Sequence, residues 1–242
     1  MTTDTHRLTV SGINVEIVRK DIKNLHLGVY PPDGRVRVAA PLLVNDEAVR
    51  LAVIGKLAWI KRQQAKFAAQ SRQSARQMVS GESHYFQGQR YRLRVRESSG
   101  RQQVCLRGKA TLELSVRPGS NVEQREAVLQ QWYRDQLRLQ AADLMEKWQA
   151  LLGVEASAWG IRRMKTLWGS CNTESRRIWL NLELAKKPPQ CVEYIVVHEL
   201  MHLRERHHNA RFVSLMNQHL PNWEMTRALL NQTPLAQEEW GY

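Results

Sequence analysis

Apolar residues alternate with polar ones near the start of the chain, which is the pattern of half-buried β-strands. The alternation runs over 25–29 and 36–40, on either side of a Pro-Pro-Asp-Gly turn, and the stretches 7–11 and 13–19 are predicted to be strands of the same small sheet. Asn45 then caps a helix whose apolar residues recur at three- and four-residue steps. A sheet followed by a helix is therefore expected first.

A second group of strands is predicted over 82–117. Within it, apolar residues alternate with arginines, and a period of two sends the arginines to one face of the sheet. The four residues are Arg90, Arg92, Arg94 and Arg96. Two interpretations stay open: a solvated sheet face, or a surface that contacts the phosphate groups of a nucleic acid with little sequence preference.

The second half of the chain begins with a long predicted helix. Pro118-Gly119-Ser120 marks a boundary, apolar residues follow at helical spacing over 121–152, and Gly153 is a suitable stop. Two further strands are predicted at 159–165 and 177–184. A hairpin here suits a strand that lines a cleft and pairs with an extended peptide.

The sequence His-Glu-x-x-His at 198–202 is the most specific chemical signal. It follows an apolar run without Pro or Gly, so a buried helix is predicted over 191–205. A four-residue step places His198 and His202 on one helix face, and Glu199 is close enough to reach a water on a metal that both imidazoles hold. The pattern predicts a zinc hydrolase with Glu199 as general base. The alternative is a pair of ordinary histidines on a helix surface.

A catalytic zinc usually takes a third protein ligand and keeps one open position. On a continuous helix, His208 would lie off the face of the first two histidines, so the helix is expected to stop near 204–206 and a turn to bring His208 back. Asn209 is a good N-cap for a following helix over 210–220, which fits that break. His207 is the competing candidate for the third ligand.

Composition narrows the class of protein. A chain of 242 residues with 43% apolar content can bury a substantial core. No apolar run approaches the length of a membrane span and the N-terminus lacks a signal-peptide core, so no membrane association is expected. The three cysteines are widely spaced and odd in number, which does not indicate a disulfide framework and favours the cytoplasm. The sequence shows no internal repeat.

The net charge of +13 is unevenly distributed. Residues 1–120 contain 21 Lys and Arg against 9 Asp and Glu, whereas residues 121–242 contain 15 against 14. The half that carries the His-Glu-x-x-His motif is thus nearly neutral. Such asymmetry favours an acidic partner of the N-terminal half, and nucleic acid is the usual candidate.

Several blocks of the sequence resemble one family of metallopeptidases. They are Ala40-Pro41, Gly81-Glu82, Trp168-Gly169-Ser170-Cys171, Leu180-Asn181, and Tyr194 to Leu203 with its His-Glu-Leu-x-His-Leu core. On these residues the chain resembles the YgjP-like metallopeptidases, relatives of the SprT-like and WLM zincins, over nearly its whole length.

The resemblance implies a zincin-type catalytic domain and a metal-dependent peptidase. It implies His208 as third ligand, because the family motif ends in Asn-His, although His207 stands where Asn is expected. It also makes Trp168, Ser170 and Asn181 candidates for the cleft wall, with structural packing as the alternative.

The expected fold class is therefore α+β. A basic, β-rich N-terminal domain with one long helix is expected over 1–118, and a zincin-like metallopeptidase domain over 119–242. The expected function is zinc-dependent hydrolysis of peptide bonds in protein or peptide substrates, with nucleic-acid-associated proteins as a candidate class. The alternative is a zinc-binding protein that associates with nucleic acid without proteolysis.

Overall fold

The computed structural model describes residues 5–30, 33–69, 76–164 and 167–232. The predicted mixed α+β class is confirmed, with helices and three sheets that each combine parallel and antiparallel pairs. The described residues up to 69 form one compact unit and those from 76 to 232 form another. Within these residues, no helix combines the length and apolar character that a membrane crossing requires.

The first unit contains a four-stranded sheet and two helices. The sheet has the order β1-β2-β4-β3, and its inner pair, β2 and β4, is parallel. Its elements are β1 (Thr5–Val10), β2 (Ile13–Lys20), β3 (His26–Tyr30), β4 (Arg35–Pro41), α1 (Asp46–Gly55) and α2 (Leu57–Ala69). The single helix expected after Asn45 is interrupted at Lys56, which leaves the helical conformation directly after Gly55, a poor helix former.

The second unit begins with another four-stranded sheet of order β5-β6-β8-β7, again with a parallel inner pair. Its strands are β5 (Ser83–Phe86), β6 (Gln89–Glu97), β7 (Gln103–Arg107) and β8 (Thr111–Val116). The chain thus repeats one strand topology, although no repeat is visible in its sequence.

The long helix α3 (Val122–Leu152) follows the second sheet. Asn121 and Gln124 form a reciprocal capping box at its start, and Gly153 ends it in the left-handed conformation, as predicted. One face of α3 is buried in a core that also contains the apolar residues of β5 to β8. The boundary predicted at 118/119 therefore falls inside the second unit, because sheet and helix bury their apolar faces against each other.

A three-stranded sheet follows α3, with the order β10-β11-β9. Its strands are β9 (Ala158–Arg162), β10 (Gly169–Asn172) and β11 (Arg177–Asn181); β9 and β11 are parallel, and β10 and β11 form an antiparallel hairpin. The strand predicted over 177–184 ends at Asn181, whose side chain accepts from the Glu183 backbone N–H and starts a 3₁₀ helix at 182–186. No strand was predicted at 169–172, yet this segment forms β10 and is the hairpin partner of β11, whereas the strand predicted at 159–165 pairs with β11 in parallel.

Three helices complete the second unit: α4 (Pro189–Met201), α5 (Ala210–His219) and α6 (Trp223–Gln232). Helix α4 is buried on most sides, as its apolar composition predicts. It ends at Met201, earlier than the predicted stop near 204–206. Asn209 caps α5 by accepting from the Phe212 backbone N–H, as predicted.

Candidate metal centre

The last turn of α4 carries His198 and Glu199, and His202 is the C-cap residue directly after the helix. Beyond it the backbone tightens, because the N–H groups of Leu203 and Arg204 donate to carbonyl oxygens three residues back. The chain then leaves the helix axis before reaching His208. This early stop frees the segment after His202 to fold back over the end of the helix. The break expected near 204–206 would have had the same effect.

The turn brings His198, His202 and His208 together. One ligand atom from each lies within 4.8 Å of the other two, and the His198 and His208 Nε2 atoms are 3.0 Å apart. The three ring centroids are separated by 4.7 to 5.0 Å. His207, the competing candidate, is exposed and lies outside this group, with its backbone N–H donating to Glu205 Oε1.

The donor set fits a zinc ion. Tetrahedral coordination with Zn–N bonds of about 2.0–2.1 Å places ligand nitrogens roughly 3.3 Å apart, close to the separation of the two Nε2 atoms. His202 Nδ1 lies 3.3 Å from the Glu205 carbonyl oxygen. Because a carbonyl oxygen can only accept, Nδ1 carries the proton and the Nε2 atom of His202 is left as the ligand atom. Three imidazoles with one open position are a typical catalytic zinc set.

The electrostatic environment favours the neutral form of His198 and His202, which is the form that binds a metal. Burial, with the neighbouring His202 and His208, lowers the pKa of His198 to about 3. Burial also lowers the pKa of His202. The Nδ1 atom of His198 is buried without a hydrogen-bond partner among the described residues.

Glu199 is 5% exposed and lies beside this cluster. Burial raises the pKa of its carboxyl group to about 8. A Cβ atom at Gly169 would lie 2.5 Å from Glu199 Oε1, so a larger residue at this point of β10 would displace the Glu199 carboxyl group. Gly169 is therefore a positioning residue that sequence reasoning missed; its one signal was membership of the Trp-Gly-Ser-Cys block.

A cleft of about 760 Å³ opens in front of the histidines. Ser170 lines it together with the other residues of β10. Trp168 does not line it: its indole packs against the core, and the Lys187 ammonium lies 5.2 Å from the ring centroid.

Asn181 does not line the cleft either, because it is completely buried. Its Nδ2 donates to the carbonyl oxygens of Met164 and Leu167, both at 2.8 Å. Its Oδ1 accepts from the Glu183 backbone N–H. Asn181 thus ties the β9–β10 connection to the end of β11, which corresponds to the structural alternative considered for it.

Cys171 faces the cleft, but burial and the nearby Glu199 raise the pKa of its thiol to about 11. It is therefore a poor nucleophile at neutral pH.

The four arginines of β6 alternate with buried residues and are exposed, so they share one sheet face as the period of two predicts. They do not line the metal cleft. Glu113 of β8 lies on the same face, 3.9 Å from Arg94 and 3.3 Å from Arg107, and partly neutralises the surface.

Two solved structures are similar to part of the chain, both crystal structures of metallopeptidase zymogens. Jannalysin of Methanocaldococcus jannaschii is 18% identical, with a TM-score of 0.35 over 38% of this chain and 87% of its own. Abylysin of Pyrococcus abyssi is 23% identical, with a TM-score of 0.33 over 36% of this chain and 86% of its own. No curated protein matches the chain.

The profile of the YgjP-like metallopeptidase domain matches residues 23–233. That range includes the His-Glu-x-x-His motif, the Trp-Gly-Ser-Cys block and every residue of the histidine cluster. The chain belongs to the YgjP-like metallopeptidase family.

Proposed function

We propose that the chain is a zinc-dependent peptidase in which His198, His202 and His208 hold the metal and Glu199 is the general base. The observation that carries the proposal is the convergence of three imidazoles beside a buried carboxyl group at the wall of an open cleft. A site that only held a structural metal would have no use for that carboxyl group and would be closed.

When bound, zinc supplies a Lewis acid that polarises the peptide carbonyl group and acidifies water to a pKa of about 7. Glu199 takes the proton of the attacking water on a carboxylate oxygen and passes it to the leaving amine. Burial raises the pKa of Glu199 to about 8, near neutrality, and a cation close by lowers it, so the carboxyl group can both accept and release a proton. Gly169 fixes its position by close contact.

The substrate is proposed to bind as an extended strand along β10. On one side β10 pairs with β11, and within the described residues it has no strand partner on the other. Gly169, Ser170, Cys171 and Asn172 all line the cleft, which is the arrangement of a strand whose free edge faces it. A free edge can pair with a peptide through its backbone, and the peptide side chains then provide specificity.

The test is cleavage of denatured casein by the zinc-supplemented protein, with bound zinc measured on each variant. Glu199→Gln is expected to keep zinc and to lose at least about a hundredfold in rate, the range for a general base. His208→Ala is expected to lose zinc as well as activity, whereas His207→Ala, the adjacent matched control, keeps both. Equal cleavage by Glu199→Gln would remove the proposed base; zinc binding without any cleavage would favour the non-proteolytic alternative.

The exposed arginine face of β6 supports a second, separable proposal, contact with nucleic-acid phosphates that brings the peptidase to nucleic-acid-associated proteins. Replacing Arg90, Arg92 and Arg96 by glutamine should weaken duplex binding by a similar factor for every sequence and reduce its salt dependence by about one unit of slope per lost contact. Absent or salt-insensitive binding by the unaltered protein would contradict this proposal and leave the peptidase untouched.

A further inference from the structure

One face of the three-stranded sheet carries an aromatic ring that covers part of the neighbouring strand. Residues Ser170 of β10, Trp179 of β11 and Gly160 of β9 are directly opposite one another in register. A Cβ atom at Gly160 would lie 2.6 Å from Trp179 Cζ3, so the indole occupies the space that a side chain on β9 would need. Ring and glycine together make an apolar floor beside Ser170.

The guanidinium group of Arg162 lies on this floor. Its Cζ atom is 5.0 Å from the Trp179 ring centroid, and its Nη2 lies 3.5 Å from Ser170 Oγ. Arg162 belongs to β9, two strands from the free edge of β10, yet it lines the metal cleft because its side chain crosses Trp179. It is exposed and has no carboxylate partner among the described residues.

A positive group held in this way is suited to a carboxylate. Stacking on an aromatic ring fixes the plane of a guanidinium group, and the planar fork then offers two parallel N–H donors. Successive side chains of a peptide strand point to opposite faces, so every second one along β10 would lie on the Ser170 face. Glu174, in the turn after β10, also lines the cleft. Its carboxylate repels an acidic peptide side chain at the Asn172 end of β10, so such a side chain is favoured near Arg162 instead.

We propose that Arg162 and Trp179 form a specificity subsite that binds an aspartate or glutamate side chain of a peptide lying along β10. The subsite rests on the proposed peptide-binding function of the same cleft, and it adds a substrate class: extended segments with an acidic residue at a fixed distance from the cleaved bond. Arg162 contacts the carboxylate, and Trp179 is a positioning residue that acts through Arg162.

The test measures equilibrium binding to the zinc-supplemented Glu199→Gln protein, which is expected not to cut its ligand. The probes are fluorescein-labelled peptides of alternating valine and threonine with a single glutamate, or its uncharged counterpart glutamine, moved through each position. At one position the glutamate peptide should bind about tenfold or more tightly than the glutamine peptide, the range for a hydrogen bond to a charged group. Arg162→Gln, added to this protein, should abolish the difference.

Arg177→Gln is the matched control. Arg177 is exposed on the same sheet face with its Cζ atom 5.9 Å from the same Trp179 ring, but it does not line the cleft. It should keep the full difference between the two peptides. Equal loss in both variants, or no difference between the peptides in the starting protein, or no peptide binding at all, would overturn the subsite.

Trp179 gives a second readout. Trp179→Leu should reduce the ratio of the glutamate and glutamine affinities, because the affinity for the glutamate peptide falls more than that for the glutamine peptide, and Trp179→Phe should restore most of the ratio. A uniform loss of affinity for both peptides would show a merely structural role and contradict the assignment.

Failure of the subsite and failure of the peptidase are distinguishable. Casein cleavage without any acidic preference overturns the subsite alone. Discrimination between the two peptides by a protein that never cleaves casein overturns the peptidase and leaves the subsite. Where both hold, Arg162→Gln should raise KM for the cleaved glutamate peptide with kcat unchanged, the mark of a group that binds without entering the chemical step.

Discussion

The sheet of the first unit, β1-β2-β4-β3, and that of the second, β5-β6-β8-β7, have the same strand order and the same parallel inner pair. Their first hairpins turn at Ser11-Gly12 and Gln87-Gly88, with nearly identical positive φ angles of 49° and 78° in one and 49° and 79° in the other. Each sheet is followed by a helix that an asparagine caps, Asn45 in the first unit and Asn121 in the second. The two regions are built to one plan.

The two sheets differ in the contacts that their hairpin turns make. In the second unit the hairpin turn contacts the segment before α4: the N–H groups of Gln87 and Gly88 donate to the carbonyl oxygens of Ala185 and Lys186, and a Cβ atom at Gly88 would lie 2.7 Å from Pro188 Cγ. At Gly12 an added Cβ would have no atom within 4 Å. The second sheet is thus part of the unit that holds the histidines because of the contacts of its turn and of α3, not because of its strand pattern.

The largest expected effect comes from cutting a large side chain out of either core. Leu93 of β6 and Ile17 of β2 are buried at equivalent positions, five residues after the hairpin glycine. Leu93→Ala and Ile17→Ala should each cost about 2–5 kcal/mol of unfolding free energy in their own unit. Chemical denaturation combined with zinc retention checks this: Leu93→Ala should weaken zinc retention, and Ile17→Ala should leave it unchanged. Equal zinc loss in both variants would contradict the prediction that zinc retention depends on the core of the second unit alone.

A pH effect should distinguish the units next. His84 of β5 is buried where the first sheet has Leu8, with Glu82 at 3.4 Å; burial, then the charges of Arg76 and Lys186, lower its pKa to about 4. In the unfolded chain His84 takes up a proton near pH 6.5, whereas in the folded protein it does so only near pH 4. The folding free energy that the neutral His84 allows is therefore present above pH 6.5 and is lost as the pH falls towards 4.

The loss should have a slope of up to about 1.4 kcal/mol per pH unit for one proton. His84→Leu should remove that slope, measured as the difference between variant and unaltered protein by urea unfolding. Zinc-free protein is used for both, so that titration of the metal-site histidines cancels in the difference. Parallel pH profiles would contradict the assignment to His84.

A smaller effect is expected at the two hairpin glycines. Gly88→Asn and Gly12→Asn impose the same backbone preference, because both φ angles are nearly equal and asparagine tolerates this region. Gly88→Asn also crowds Pro188 and should cost about 1–3 kcal/mol, the range for overpacking. Gly12→Asn should cost less, since its surroundings are open. Thermal unfolding of the two variants measures the difference, and equal costs would mean that the Pro188 contact contributes nothing.

The smallest effect should come from the helix caps. Asn121→Ala removes a reciprocal capping box and Asn45→Ala removes a single side-chain bond, so both should destabilise by about 1 kcal/mol, with the larger value for Asn121. The free energies of unfolding of the two units give the comparison. A larger loss for Asn45 would show that the reciprocal bond adds nothing.

Much of the fold followed from local pattern. Most strands other than β10, the capped α3 and the arginine face of β6 depend on periods of two and of 3.6 residues, which short segments express by themselves. The first helix was expected to be unbroken, and the strand at 177–184 was drawn too long, since element ends depend on single caps such as Asn181.

Part of the site could also be predicted from the sequence. The group of His198, His202 and His208 was anticipated from spacing together with the family motif, and the structure brings the three side chains together. Trp168 and Asn181 were considered for the cleft wall and lie in packing positions instead, because family motifs contain structural residues alongside functional ones. Gly169 was not singled out, because the role of a glycine depends on which atoms occupy the space that a side chain would need, here those of Glu199.

The sequence by itself determined which residues carry chemistry and which local elements hold them, because helix and strand periodicity are properties of neighbouring residues. Tertiary structure alone decided that β10 is a free edge beside the histidines, that Arg162 reaches the cleft across Trp179, and that one sheet plan occurs twice. These features depend on the path of the backbone between elements and on which faces are buried. No short stretch of sequence contains that information.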